Sequence, residues 1–117
     1  MPFSDFVVNN VLRDIKDSCW VALHFDSPDQ GAYASELIGA GYERLEAHFG
    51  TVSNRTVWVD EWLYWSGLAE TKIRYITGWN QQYKGDLLFS CPLPAESRVI
   101  TGAGFTIPAY SIALSFD

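Results

Sequence analysis

Three carboxylates, Asp60, Glu61 and Glu70, stand among Trp58, Trp62, Tyr64 and Trp65. Acids mixed with large aromatics are the composition of sugar-binding and glycosidase clefts. A glycosidase needs two carboxyl groups facing each other across the scissile bond, one as acid and one as nucleophile or base. Neighbouring residues of an extended chain project to opposite sides, so Asp60 and Glu61 are expected to point apart, and catalysis ranks last among the readings. The aromatics fit an interface or a glycan contact better, since tryptophan and tyrosine are enriched where binding surfaces are anchored.

Other chemistry is sparse. His24, His48, Cys19 and Cys91 have no metal-ligand spacing, and neither CxxC nor HExxH occurs. His48 reads as a rim histidine. Gly102-Ala-Gly104 lacks the third glycine of a dinucleotide loop and reads as a turn. Asn54-Arg-Thr56 fits a glycosylation sequon, read as accidental in a chain without a secretory leader. No cofactor or metal is expected.

The totals narrow the classes further. The chain has 117 residues, 48% of them hydrophobic, which suits one folded domain spanning 1–117. Its net charge is −6, and its eight Lys and Arg are scattered, which argues against a direct nucleic-acid contact. No apolar run approaches the roughly 18 residues of a membrane span, so no membrane insertion is expected. Two cysteines do not make a disulfide framework; both are expected to be buried thiols made in a reducing cytoplasm.

Elements follow from periodicity. Ser4 is placed to cap a helix over about 5–17, whose Val8, Val11, Leu12 and Ile15 recur at helical spacing. Cys19 to Phe25 alternates as a strand, and Ser27 to Gly31 is a turn cluster. Further strands are predicted at 36–38, 42–49 (with helix as the alternative over 43–48), 51–60, 72–79 and 86–91. Glu61 to Glu70 reads as an aromatic loop. Pro92 and Pro94 are expected to break the 86–91 strand. Closing strands are expected near 98–101 and 109–116, the latter the clearest alternation in the chain. Many short strands with regular turn signals predict a mainly β fold, an antiparallel, jelly-roll-like β-sandwich with one N-terminal α-helix.

The segment from Ser35 to Gly50 is the expected centre of that fold. Gly39 and Gly41 permit positive φ or close approach, and Tyr42 and Arg44 follow at once into extended chain. A glycine corner feeding a Tyr-x-Arg reads as a structural joint, since no nucleophile–base pairing accompanies it. Tyr42 and Arg44 are expected to fix how the sheets join.

In order along the chain, these pieces resemble the small phage proteins of the tail-fibre and minor-tail type. The opening helix Ser4-Asp-Phe-Val-Val-Asn-Asn-Val-Leu12 is similar, as are the strand Trp20–Phe25 and the turn Ser27-Pro-Asp29. The most family-like piece is Glu36, Gly39, Gly41, Tyr42 and Arg44. Ser53-Asn54, Gly85-Asp-Leu-Leu-Phe89 and a last alternating strand ending in Asp complete the likeness. The chain departs from the pattern between Trp62 and Tyr83, where it is richer in aromatics. The resemblance implies a virion structural protein, a β-sandwich without enzyme activity. It further implies a symmetric homo-oligomer, often a trimer, joined to other virion proteins at a tail tip or fibre, or decorating the capsid. A carbohydrate-binding module using Trp58–Trp65 on a host glycan is the competing reading.

Overall fold

The computed structural model describes residues 4–28, 35–39, 41–100 and 102–115. Helix α1 spans Asp5–Asp17, and the Ser4 hydroxyl accepts a hydrogen bond from the Val7 amide as its N-cap. Eight strands follow: β1 (Trp20–His24), β2 (Leu45–Glu46), β3 (Thr56–Trp58), β4 (Leu63–Trp65), β5 (Thr71–Trp79), β6 (Leu87–Val99), β7 (Phe105–Ile107) and β8 (Ala113–Ser115). Every strand pairing is antiparallel.

The strands form a four-stranded sheet in the order β2-β1-β5-β6, and two ribbons, β3-β8 and β4-β7. Together the sheet and ribbons make a sandwich-like β fold with one N-terminal helix. A single apolar cluster joins all these parts, with Val8 and Leu12 from α1, Val21 and Leu23 from β1, Ile73 from β5 and Val57 from β3. The helix periodicity explains its seat: Val8 and Leu12 share one face and are fully buried, while Phe6, turned away from that face, stays 75% exposed. Val11, expected on the buried stripe, is partly exposed.

Several strand boundaries differ from the sequence expectation. The stretch 51–60 is interrupted by a tight turn: Asn54 and Arg55 both take positive φ, and Ser53 and Thr56 exchange backbone hydrogen bonds across it. That is the conformation a two-residue hairpin needs to match strand twist. Arg55 in that turn reaches back to Asp5, tying the hairpin to the helix start.

The prolines do not break β6, because β6 is an edge strand and needs ladder donors on one side alone. Pro94 also falls in a bulge, where Arg74 of β5 stands opposite the four-residue stretch from Leu93 to Glu96. The supposed aromatic loop contains β4, paired to β7 in the segment read as a closing turn. The last strand is shorter than its alternation suggests, since Tyr110 has φ 63 and sits in a turn. The expected strand at 36–38 contributes one bridge, Glu36 to His24. The part of the turn cluster at 29–31 and the end of the last strand at residue 116 lie outside the described residues.

The glycine corner makes its tightest approach at Gly41, where φ is 82 and an added Cβ would lie 2.3 Å from the Gly67 carbonyl oxygen. Gly39, at φ 111, has open space around it. Gly39→Ala should therefore cost about 1–3 kcal/mol, the backbone conformation alone. Gly41→Ala should cost distinctly more, because a backbone carbonyl must also move. Urea titration of the two variants checks this; equal midpoints would show that the 41–67 crossing is not tight.

Candidate functional site

The Glu36–Arg44 segment and the stretch from Trp79 to Lys84, distant in sequence, meet around one guanidinium. Arg44 is 4% exposed and binds Glu36 through two bonds, Nε to Oε2 at 2.9 Å and Nη2 to Oε1 at 2.8 Å. Its Nη1 donates to the carbonyls of Gln81 and Lys84, at 3.1 and 2.6 Å, in the β5–β6 connection. Its plane lies over the Trp79 ring, 4.2 Å from the centroid. A planar fork with fixed donors suits this multiple role, which the point charge of a lysine could not fill.

Tyr42 completes the junction from the other side. Its hydroxyl donates to Glu36 Oε2 at 2.6 Å and accepts from the Leu23 amide at 3.1 Å, so the corner is pinned to β1. Burial would raise the Glu36 carboxyl, but the Arg44 bonds, the Tyr42 hydroxyl and the nearby positive charge outweigh it and hold Glu36 below its ordinary range. Burial, and then the Glu36 carboxylate, push the Tyr42 phenol well above its ordinary value. An ionised acid and a firmly protonated phenol already bonded to each other make a joint with no proton to exchange near neutral pH.

Behind Trp79 the polar network continues inward. The indole N–H donates to Thr77 Oγ1 at 2.7 Å, and Thr77 Oγ1 lies 2.7 Å from His24 Nε2. His24 Nδ1 is 2.9 Å from the Ser35 hydroxyl. Indole only donates, so Thr77 Oγ1 accepts from Trp79, and the same hydroxyl and His24 Nε2 share the second bond. Burial lowers the His24 pKa, the Arg44 charge adds to this, and Glu36 opposes it. Ser35 adjoins Glu36, so the chain of contacts closes on itself.

The aromatic stretch divides. Trp58, Trp62 and Tyr64 are 46%, 66% and 59% exposed. Trp65 turns inward at 2% exposure, packs near Phe105 and donates its N–H to the Glu43 carbonyl at 2.7 Å. Trp65 is thus core, because β4 pairing sends Leu63 and Trp65 to the same inner side.

Asp60 and Glu61 lie outside strand alternation. They join β3 to β4 outside any strand, and both border one hollow with His48, Asp17 and Glu46. His48 Nδ1 is 2.5 Å from Asp60 Oδ1 and the imidazole is largely exposed, a rim histidine. Glu70 lies elsewhere, beside Phe25 and Leu68. Among the described residues no group of three or more His, Cys, Asp and Glu side chains could hold a metal ion. Cys19 is buried, with burial pushing its thiol up to about 12, whereas Cys91 is exposed on β6, against the expectation of two buried thiols. Sequence reasoning missed Trp79, Thr77 and His24 as parts of the junction; their only signal was polar and aromatic residues on otherwise apolar strands.

An antiparallel β protein whose most buried polar groups are spent on joining segments belongs with structural and assembly proteins. Residues 5–115 match the family model described as Podophage GP4 fiber I protein gp80, and the chain belongs to that family. It is a phage fibre structural protein and a component of the virion. No curated protein matches the chain.

The junction makes stability depend on pH. Both Glu36 and His24 have folded-state values below their ordinary 4.5 and 6.5. The unfolded chain then takes up protons first, so their stabilisation is complete above the unfolded pKa and is lost as pH falls. Loss should begin below about pH 6.5 through His24 and steepen below about pH 4.3 through Glu36. In His24→Gln the upper limb should flatten while the acid limb remains. Urea midpoints from pH 8 to 2.5 read this out, and a wild-type profile flat between pH 7 and 5 would contradict it.

Proposed function

We propose that this chain is a building block of the minor-tail or tail-fibre type, without enzyme activity, made in the host cytoplasm and carried into the virion. It assembles through symmetric contacts with copies of itself, a trimer being the expected order, and with other virion proteins. The observation that carries this reading is the family match running from α1 to β8. The junction supports it, because Glu36, Tyr42 and Arg44 with Gly39 and Gly41 act as a structural corner and leave no free acid–base pair there. Closed symmetry multiplies modest contacts, which suits a small subunit. The net charge of −6 suits a place away from nucleic acid.

A second reading is favoured by one feature, the outward projection of Trp58, Trp62 and Tyr64. Large exposed aromatics serve as anchors for a partner, and a host surface glycan is the ligand this reading names. Capsid decoration is the alternative location, and membership of a fibre-protein family speaks for the fibre.

Gold-labelled antibody against the chain should mark the tail region of intact particles. Label spread over the capsid would replace the fibre placement with decoration. In the same particles, the pair Trp62→Ala and Tyr64→Ala should leave the folded subunit and its incorporation intact. A loss of adsorption to host polysaccharide of tenfold or more would establish the glycan contact, and unchanged adsorption would remove it.

A further inference from the structure

The strand order leaves β6, β7 and β8 each with one unpaired edge among the described residues, since each has a single partner, β5, β4 and β3. The three come together around one groove of about 760 Å³. Leu88, Phe89 and Leu93 line one wall, and Ile107, Ile112 and Leu114 the other. Among the described residues no charged side chain lines it.

That last point is unusual for this chain. All eight basic and fourteen acidic residues lie outside 87–95 and 99–116, the two stretches that form most of the groove. We propose that a second copy of the chain docks here, the β6–β8 faces of neighbouring copies being turned towards one shared symmetry axis. This rests on the assembly reading above and adds the surface through which it occurs.

Charge selects this occupant. Two copies each bearing −6 repel wherever their acidic surfaces meet. On the β6–β8 face a like-charged neighbour can approach without setting carboxylate against carboxylate. Apolar walls favour contact by roughly 25 cal/mol for each Å² removed from water. Free strand edges beside the groove offer backbone donors and acceptors to the incoming chain. Pro92 and Pro94 limit how far that edge can extend into an open-ended sheet, which favours a closed assembly over aggregation.

Cys91 is a built-in reporter. It lies in the groove and is exposed in the single chain, whereas Cys19 is buried and its thiol is held protonated. Maleimide labelling of the purified chain should slow at least tenfold with rising concentration, in step with the mass measured by sedimentation. Cys91→Glu places a charge where the isolated chain is solvated. It should melt like the wild type and stay monomeric.

Assembly with Cys91 labelled at the free-thiol rate, and with Cys91→Glu assembling normally, would overturn this surface while leaving symmetric assembly standing. A monomer at every concentration would overturn both. Cys91 open in such a monomer but covered in intact particles would assign the groove to a different virion protein, and so also overturn docking of a second copy.

Discussion

The buried pairing of Arg44 with Glu36 is the constraint on which the rest of the molecule depends. Desolvating two charges is expensive, and a well-packed apolar pair could match its stability. What the ion pair supplies is specification. A guanidinium 4% exposed must have its donors satisfied, and the partners present are Glu36 beside β1 and the carbonyls of Gln81 and Lys84 between β5 and β6. Moving any of these segments would strand a buried charge. The glycine corner, the Tyr42 bond to Leu23 and the stacking on Trp79 then fall into one geometry. The polar interior of the protein therefore decides which segments meet, and the apolar cluster fills the space between them.

This distribution of effort suits a fibre component. One end of the four-stranded sheet is closed by the junction around β1 and β2, where nearly every polar group has a named partner. The other end, at β6, carries an unpaired edge, two prolines and an uncharged groove. The junction also takes in the Gln81 and Lys84 carbonyls of the β5–β6 connection, so the two features are linked through one loop. The exposed aromatics Trp58 and Tyr64 stand on the separate ribbons, with Trp62 just before β4, so a ligand contact there need not disturb the sheet.

Legibility in the sequence followed how local each determinant was. α1 was readable because Ser4, Val8 and Leu12 carry cap and period within thirteen residues, and β5 because alternation marks Lys72 to Tyr75, before both faces are buried from Ile76 to Trp79. The turn at Asn54-Arg55 was hidden, since Arg55 gives no hint of positive φ. The continuity of β6 through Pro92 and Pro94 depends on its edge position, which only the assembled sheet decides. Trp62, Tyr64 and Trp65 look alike in sequence, yet pairing with β7 sends Trp65 inward. The importance of Gly41 and Arg44 could be suspected from residue type. Their partners, Gly67, Gln81 and Lys84, lie 26 to 40 residues further along and were not legible.

The central claim is that Glu36 and Arg44 act as one unit, and a double-mutant cycle measures that directly. Stability would be determined by urea unfolding at pH 7 for the wild type, Glu36→Gln, Arg44→Met and the double variant. Each single change strands a buried partner and is expected to cost about 3–5 kcal/mol, with the double costing clearly less than their sum. A coupling of about 2 kcal/mol or more is the predicted result. Additive losses, with coupling under about 0.5 kcal/mol, would mean that the two groups sit side by side without holding the segments together.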